Sequence, residues 1–362
     1  MRLVQRKQIH DILAGYKDVK IATLCSHSAL QIFAGAKEEG FETIGICIPK
    51  KRPIYDSFPH AKPDKYIMVE TLADVVKVER ELVDENAVLI PHGSFVEYAG
   101  KHLAGLRVPI FGNRLALLCE SDRKMMLRWM QKSGLRTPKT FKPGEIDRPC
   151  IVKFPGAKGG KGYFIVRNEE EFEQKCAYFL REKRITQHDI ENVLIQEYMV
   201  GVRFYPHYFY SPFSGKGTRA GDGSVELMGV DKRIETNVDE IYRSLSANIF
   251  VEPSFAVAGN TPVVVRESLL TDFIRMGKDV AETADDMFGG IPGPFCIETI
   301  CDEDFVFTCF EISARIVAGT NLYHTGSPYS AYTHGEPMSM GRRIARELRI
   351  AHEKGKLDMV IY

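Results

Sequence analysis

The sequence predicts an α/β and α+β protein in which an N-terminal doubly wound sheet is followed by two α+β lobes. Residues 20–90 alternate short apolar stretches with helical ones, and this rhythm is typical of a parallel sheet covered by helices. A helical stretch at 115–133 then leads into an extended segment, which indicates a domain boundary. Beyond it, β-prone stretches at 151–154 and 163–166 flank a loop rich in glycine and lysine.

The N-terminal elements each have a local signal. The predicted strands are short apolar runs bounded by polar residues, at 20–24, 43–48, 66–69 and 87–90. The predicted helices are an amphipathic one within 1–16, one at 28–39 that ends at Gly40, and one at 72–85. Residues 108–113 are expected to form a further short strand and a turn.

The rest of the chain mixes strands and helices without strict alternation. The predicted helices lie at 169–181, 266–287 and 338–354, and the strands at 193–199, 202–210, 225–230, 294–299 and 305–312. Glycine-rich or polar connections are expected at 212–223, 231–237 and 315–337. We therefore divide the chain into an N-terminal domain (1–115), a small lobe with a linker helix and the glycine-rich loop (116–200), and a C-terminal lobe (201–362).

Composition excludes several classes of protein. Lys+Arg and Asp+Glu both number 48, so the chain lacks the basic surplus expected of a general nucleic-acid binder. No apolar run approaches the roughly 18 residues of a membrane helix, and the first residues lack a secretory signal core. The eight cysteines form no C-x-x-C pair, and most lie in strand-like runs, so we interpret them as reduced core residues. A cytoplasmic protein is expected.

Two loops at one edge of the predicted parallel sheet carry hydroxyls and histidines. Cys25-Ser26-His27-Ser28 follows the first strand, and Pro91-His92-Gly93-Ser94-Phe95 follows the strand at 87–90. Ligands of such sheets bind beyond the carboxyl ends of the strands, and this chemistry suits a monophosphate or another small anion. The alternative is that the serines only cap helices.

The loop at 155–162 suits a lid over a polyphosphate. It reads PGAKGGKG, so glycines let backbone N–H groups approach phosphate oxygens while lysines offset their charge. It is not a Walker A loop, because no Gly-Lys-Ser/Thr opens a helix. An ordinary glycine-rich hairpin is the alternative.

Two carboxylates lie in otherwise apolar strands near the C-terminus. Glu298 and Glu311 fall on the predicted strands at 294–299 and 305–312, and Arg315 follows four residues later. Carboxylates on neighbouring antiparallel strands can converge, and burying one unpaired is costly. Mg²⁺ commonly takes one or two carboxylates plus nucleotide oxygens. The alternative is that each glutamate pairs with a basic residue or faces solvent.

In this order, the residues resemble the ATP-grasp superfamily. The resemblance implies an ATP site built from a lysine near the linker (Lys124), a strand lysine (Lys153) and the loop residues Gly159, Gly160 and Lys161. It also implies that adenine lies against a hinge strand, and that two glutamates hold Mg²⁺ or Mn²⁺. The hinge corresponds to Gln196, Glu197, Tyr198 and Met199, and the metal carboxylates to Glu298 and Glu311.

A more specific resemblance covers nearly the whole chain from residue 21. The segments KFPGAKGGKGYF, PHGSF, FGNR, DKR, VVRESLL, GPFC, SARI and GTN together resemble the archaeal PurP family of formate-dependent ligases in purine biosynthesis. The family converts ATP, formate and AICAR (5-aminoimidazole-4-carboxamide ribonucleotide) to FAICAR, the formylated ribonucleotide, with ADP and phosphate, through formyl phosphate.

The resemblance also implies roles for single residues. His27, Ser94 and Asn260 are expected to bind AICAR, and Glu235 to contact ATP. Lys161 and Arg315 are expected near the reacting groups. Partners are therefore small molecules, with neither nucleic acid nor membrane, and a homo-oligomer suits a chain of this size.

One position departs from the ATP-grasp pattern. Many members carry an asparagine two residues after the last metal glutamate, where this chain has Ser313, which leaves the number of metal ions open. Two rival functions also stay open: an ATP-grasp ligase that joins another acid to another amine, and a non-catalytic nucleotide-binding paralogue.

Overall fold

The computed structural model describes residues 3–100, 102–155 and 163–362. Within the first of these ranges, four strands form a parallel sheet in the order β3-β2-β1-β4, as the alternation predicted. They are β1 (Lys20–Leu24), β2 (Thr43–Cys47), β3 (Lys65–Met68) and β4 (Ala87–Leu89). The strand expected at 108–113 is reduced to two isolated bridges, a parallel one between Leu89 and Ile110 and an antiparallel one between Phe111 and Ile361.

Helices cover this sheet at α1 (Arg6–Leu13), α2 (Ala29–Glu38), α3 (Arg52–Asp56), α4 (Glu79–Asp84) and α5 (Gly93–Ala99). The helix expected over 72–85 is α-helical only in its second half, because residues 72–78 form a 3-10 helix. Leu72 and Val75 are both buried there, and the three-residue turn of a 3-10 helix places residues three apart on one face.

The linker is two helices, so the single helix predicted at 115–133 is wrong. They are α6 (Arg114–Ser121) and α7 (Arg123–Lys132), and Asp122 between them has an extended backbone. The Asp122 side chain accepts hydrogen bonds from the backbone N–H groups of Lys124 and Met125, so it caps α7. Trp129 on α7 donates a hydrogen bond to the carbonyl of Val280, which fixes the linker to the C-terminal lobe.

The predicted pair of strands around the glycine-rich loop is confirmed. An antiparallel sheet in the order β5-β8-β6-β7 contains β5 (Thr140–Phe141), β6 (Cys150–Lys153), β7 (Tyr163–Val166) and β8 (Leu194–Glu197). One face packs on α8 (Glu169–Arg181), which is followed by the short α9 (Gln187–Glu191). Because side chains alternate along a strand, burial of Cys150 and Val152 in that core turns Ile151 and Lys153 to the opposite face.

A second antiparallel sheet forms the C-terminal lobe, with the order β10-β11-β9-β13-β14 and β12 paired to β11. Its strands are β9 (Val202–Ser211), β10 (Thr218–Ala220), β11 (Gly223–Glu235), β12 (Val257–Pro262), β13 (Gly293–Cys301) and β14 (Phe307–Ser313). The helices of this lobe are α10 (Val238–Ser246), α11 (Glu267–Phe288), α12 (Pro328–His334) and α13 (Met340–Glu353).

Three predicted connections in this lobe are wrong. The turn expected at 231–237 is the end of β11, which runs on to Glu235, and the loops expected at 212–223 and 315–337 contain β10 and α12. Charged residues in Asp231-Lys232-Arg233 indicated a turn. They fit a strand instead because Arg233 and Glu235 line a polar cavity rather than an apolar core.

The two ends of the chain meet where α13 crosses α2. A Cβ atom on Gly35 would lie 2.1 Å from the backbone nitrogen of Arg342, and one on Gly341 would lie 2.0 Å from the carbonyl oxygen of Gln31, so neither site tolerates a side chain. The adjacent Glu39 carboxylate is buried and ion-paired to Arg342 and two further arginines of α13. The C-terminal helix therefore holds α2, and with it the loop that precedes α2.

All eight cysteines are buried. None of the helices in the described ranges combines the length and the apolar character needed to span a membrane.

Candidate active site

A cavity of about 480 Å³ is lined by residues of the two antiparallel sheets, of the linker helices and of the segments that follow β1 and β4. Most of the residues singled out in the sequence line it: His27, Ser94, Lys153, Gln196, Glu197, Tyr198, Met199, Glu235, Asn260, Glu298, Glu311 and Arg315. Lys124 is not among the described lining residues, whereas its neighbour Arg123 is. Gly159, Gly160 and Lys161 lie outside the described residues.

Glu298 and Glu311 face each other across β13 and β14 as register partners. Glu298 is bound on both carboxylate oxygens by Arg233 of β11, with 2.9 Å between Nη1 and Oε2. For Glu298, the alternative considered in the sequence analysis is therefore correct, because this carboxylate pairs with a basic residue. Arg233 also lies 3.9 Å from the centroid of the Tyr205 ring. Burial raises the pKa of Glu298, and although Arg233 opposes this shift, the charge of Glu311 adds to it.

Glu311 is partly buried and makes no hydrogen bond or ion pair with another described residue. A carboxylate without a partner, directly opposite a second one, fits a divalent ion that takes its other ligands from phosphate and water. Within the described ranges no three His, Cys, Asp or Glu side chains form a complete metal site. Ser313, which stands in place of the usual asparagine, is buried with an unpaired hydroxyl and is not among the described lining residues.

Lys153 places an ammonium group in the cavity wall near these carboxylates, whose charges both act on it. The residue is 4% exposed, and its Nζ atom lies 5.2 Å from the ring centroid of Phe310 and 5.7 Å from that of Tyr163. Burial lowers the pKa of Lys153 to about 8, against the attraction of Glu311. A poorly solvated cation of this kind gains from an incoming polyanion, because the anion replaces the hydration that burial removed.

Two arginines that the sequence analysis did not assign add positive charge at the same end. Arg123 donates hydrogen bonds to the carbonyl of Phe154, at 3.2 Å, and to the hydroxyl of Tyr163, at 2.8 Å. Arg203 lies 3.2 Å from the carboxylate of Glu235. Both line the cavity, so cationic side chains from three elements surround the position suited to a polyphosphate.

Arg315 is held by Glu120, a residue of α6 that the sequence analysis also missed. The Arg315 Nη2 to Glu120 Oε1 distance is 2.9 Å, and the other oxygen of Glu120 accepts the N–H of Ala314 at 2.9 Å. Burial raises the pKa of Glu120 although Arg315 opposes the shift. A charged residue in the apolar run LALLCE was the available signal. The geometry makes Glu120 a positioning residue for Arg315.

The hinge strand lines the cavity with all four predicted residues. The N–H groups of Glu197 and Tyr198 are bonded to the carbonyls of Lys139 and Pro149, so they are not available to a ligand. The N–H of Met199 makes no hydrogen bond to another described residue. Both polar atoms of the Gln196 amide are buried without a partner. A nucleobase at this position could therefore accept a hydrogen bond from the N–H of Met199, but not from the N–H groups of Glu197 and Tyr198.

The loops after β1 and β4 come together at the N-terminal end of the cavity. Ser26 and Ser94 share a hydrogen bond of 3.0 Å. His27 has a left-handed backbone, with φ of 52°, and its ring stacks on that of His92 with 5.3 Å between centroids. His92 donates from Nε2 to the carbonyl of Leu24 at 2.9 Å, and burial lowers the pKa of His92 to about 4, so this ring is neutral at physiological pH.

The C-terminal lobe also contacts this end. Asn321 donates to the carbonyl oxygen of His27 at 3.3 Å. On the facing wall, the Asn260 amide donates to Asp231 at 2.6 Å. A Cβ atom on Gly93 would lie 2.8 Å from the His27 ring and 3.6 Å from the guanidinium carbon of Arg315. The N-terminal loops and Arg315 therefore border the same space.

Comparison with known proteins agrees with the predicted fold. Residues 21–141 match a family described as a protein of unknown function (DUF1246), and residues 171–362 match one described as a domain of unknown function (DUF1297). A structure of N5-carboxyaminoimidazole ribonucleotide synthetase with ADP has a TM-score of 0.62 at 14% identity, over 91% of this chain and 76% of that one. This likeness shows the fold, which is that of the ATP-grasp enzymes.

Full-length relatives identify the family. A 5-formaminoimidazole-4-carboxamide-1-(beta)-D-ribofuranosyl 5'-monophosphate synthetase of Methanothrix thermoacetophila is 48% identical over 99% of this chain and all of its own length. One from Pyrococcus horikoshii is 45% identical over 95% and 99%. The crystal structure of an IMP biosynthesis protein PurP from Thermococcus kodakaraensis has a TM-score of 0.73 at 28% identity, covering 94% of this chain and all of that one. The chain belongs to this PurP family of synthetases.

Proposed function

We propose that this protein formylates AICAR with ATP and formate, releasing FAICAR, ADP and phosphate. The observation that carries the proposal is that two chemically different sets of residues line the same cavity. One wall presents Lys153, Arg203 and the pair Glu298 and Glu311, and the other presents His27 and Ser94. The first suits a nucleoside triphosphate, and the second suits a phosphorylated acceptor. The high identity to named synthetases over the full length supports the same reaction.

The chemistry explains why ATP is needed. Formate is a poor acyl donor because its leaving group would be an oxide ion. An oxygen of formate attacks the γ-phosphorus of ATP, the bond from that phosphorus to the β,γ-bridging oxygen breaks, and ADP leaves formyl phosphate behind. The amine nitrogen of AICAR then attacks the formyl carbon, the bond from carbon to phosphate oxygen breaks, and the amine loses a proton.

The protein contributes mainly position and charge, as in other phosphoryl transfers. Lys153 and the cationic side chains near it offset the charge of the triphosphate. Arg315, fixed by Glu120, lies between the two walls, where it can stabilise the negative charge that develops on the transferred group. The lysines of the loop at 155–162 are proposed to close over the phosphates.

Glu298 and Glu311 would hold the divalent ion, Mg²⁺ or Mn²⁺, that accompanies ATP. Such an ion supplies charge neutralisation at the phosphate oxygens. Among the residues that the structure describes, Glu311 has no hydrogen-bond or ion-pair partner, whereas Glu298 is paired with Arg233. We expect Arg233 to exchange its carboxylate for a phosphate oxygen when ATP binds.

Release of phosphate tests the proposal. The full-length protein is incubated with ATP and Mg²⁺, with formate and AICAR added singly and together, and phosphate is measured over time. We expect sustained release only when both are present, because neither substrate alone completes the reaction. Release with neither, or only with another carboxylic acid, would favour a different ATP-grasp ligase. Nucleotide binding without release under any condition would favour the non-catalytic paralogue.

A further inference from the structure

Behind the cavity, the carboxylate of Asp231 binds a side chain that lines it. Asp231 lies on β11 and is 1% exposed. It shares a face of that strand with Arg233 and Glu235, because side chains two residues apart point the same way. Its Oδ2 atom accepts a hydrogen bond from Nδ2 of Asn260, on the neighbouring strand β12, at 2.6 Å. Asn260 lines the cavity, whereas Asp231 is not among the described lining residues, so Asp231 is placed to act on a ligand through Asn260.

The carboxylate is fixed from two other sides. On β9, the fully buried His207 has its Nε2 atom 2.9 Å from Oδ1 of Asp231. A Cβ atom on Gly319 would lie 2.3 Å from the same oxygen, so the backbone at Gly319 packs directly against the carboxylate and only glycine leaves room for it. The carboxylate is therefore held with its second oxygen toward Asn260.

This contact fixes which way the Asn260 amide faces. A carboxylate can only accept hydrogen bonds, so the amide turns its nitrogen toward Asp231 and its oxygen away from it. No group in the described part of the chain donates a hydrogen bond to that oxygen. Because Asn260 lines the cavity, the oxygen is an acceptor that is offered to a donor group of the ligand.

The same arrangement disfavours an anion at this position. The amide oxygen repels the oxygens of a carboxylate, and the negative charge of Asp231 lies directly behind the amide. A ligand without a donor here leaves the acceptor unpaired, and sites built around such a group discriminate strongly against analogues that lack the donor. The position therefore selects a neutral group with an N–H donor over a carboxylate of the same shape.

The proposed acceptor substrate, AICAR, carries two N–H donors on adjacent ring atoms, an amine and a carboxamide. The amine loses a proton when it is formylated, and an amide oxygen is too weakly basic to take that proton. The carboxamide keeps both of its protons throughout the reaction. A fixed neutral acceptor therefore suits the carboxamide.

We propose that Asp231 is a positioning residue, supported by His207 and Gly319, which orients Asn260 to accept a hydrogen bond from the carboxamide of AICAR. The enzyme thereby rejects the ribonucleotide that carries a carboxylate in place of the carboxamide. This inference deepens the proposed function and rests on it for the identity of the ligand. The orientation of the Asn260 amide itself follows from its contact with Asp231.

Calorimetric titration of the full-length protein with AICAR and with the carboxylate ribonucleotide tests the orientation. We expect the wild type to bind AICAR at least about 100-fold more tightly. In Asp231→Asn, the new amide can donate to the Asn260 oxygen, which lets Asn260 turn its N–H groups to the cavity. Affinity for AICAR should then fall about 10- to 100-fold. Affinity for the carboxylate ribonucleotide should rise, so that the preference is lost.

Turnover separates positioning from structural damage. In Asp231→Asn, KM for AICAR should rise while KM for ATP stays constant, and kcat at saturating AICAR should change less than KM does. Damage to the fold would affect both substrates. The matched control is the same substitution at Asp222, an exposed residue between β10 and β11. Asp222→Asn should bind both ribonucleotides like the wild type.

Asn260→Ala keeps the test decisive if Asp231→Asn fails to fold. Asn260 is partly exposed and lies on β12, which pairs with β11 in the described sheet, so its truncation leaves the core intact. This variant removes the acceptor and should lose the preference for AICAR. Adding Asp231→Asn to it should change neither affinity further, because Asp231 acts through Asn260.

The inference is overturned if Asp231→Asn or Asn260→Ala keeps the wild-type preference for AICAR, or if the wild type binds the two ribonucleotides equally. The two proposals also fail separately. A preference for AICAR that depends on Asn260, without formation of FAICAR, supports the orientation and removes the function. Formation of FAICAR by Asp231→Asn with an unchanged KM for AICAR supports the function and removes the orientation.

Discussion

Glu311→Gln should lower kcat by about 10²- to 10³-fold, which corresponds to roughly 3–4 kcal/mol of transition-state stabilisation. Glu311 has no partner among the described residues and faces Glu298 across the strand pair. No hydrogen bond or ion pair within the described structure therefore explains why this position carries a negative charge. The amide keeps the shape but loses the charge that would hold a metal ion against the phosphates. Steady-state turnover with saturating ATP, formate and AICAR measures the effect.

Stability separates this role from a structural one. The thermal midpoint of Glu311→Gln should match that of the wild type, since no ion pair is removed. Glu303→Gln on the exposed turn between β13 and β14 is the control and should be fully active. Activity within a few-fold of the wild type in Glu311→Gln would contradict the metal assignment.

Lys153→Met should abolish most activity and yet stabilise the protein without ligands. The ammonium group is almost fully buried, and burial lowers the pKa of Lys153 from 10.5 to about 8. At neutral pH the folded protein therefore bears a cost of up to ~3 kcal/mol for holding this charge. Methionine has a similar volume and removes that cost together with the contact to phosphate. We expect a higher thermal midpoint, a KM for ATP raised by about 10- to 100-fold, and a low kcat.

The pH dependence of the wild type follows from the same pKa. Because the folded-state pKa is lower than that of the unfolded chain, the charge is lost as pH rises through about 8. Affinity for ATP should therefore weaken above about pH 8, up to about tenfold per pH unit. Lys153→Arg, which stays charged, should lose this dependence. A flat KM for ATP from pH 7 to 9 in the wild type would show that the charge is not used to bind ATP, and a destabilised Lys153→Met would show that burying the charge is not costly.

Local sequence signals were sufficient where a strand is a mainly apolar run. The strands of the N-terminal sheet, the pair around the glycine-rich loop and the pair that carries Glu298 and Glu311 all follow such signals, and their positions are confirmed. The signals failed where a strand borders the cavity. The end of β11 alternates charged residues toward that space, and from composition alone this pattern is indistinguishable from a turn.

Pairs of side chains that lie far apart in the sequence could not be predicted either. Arg233 and Glu298 are 65 residues apart, and the pairing of Arg315 with Glu120 joins α6 to the segment after β14. The first pair meets within the C-terminal sheet, where β9 lies between β11 and β13, and the second meets where α6 packs against that lobe.

The transfer of an oxygen atom from formate to phosphate tests the central claim most directly. With formate labelled by ¹⁸O at both oxygens, attack on ATP places one labelled oxygen between the formyl carbon and the phosphorus. Attack by the amine then leaves that atom on phosphate. Mass spectrometry should find one ¹⁸O in each phosphate released and one in the formyl group of FAICAR. FAICAR formed together with unlabelled phosphate would contradict activation of formate by ATP in this cavity.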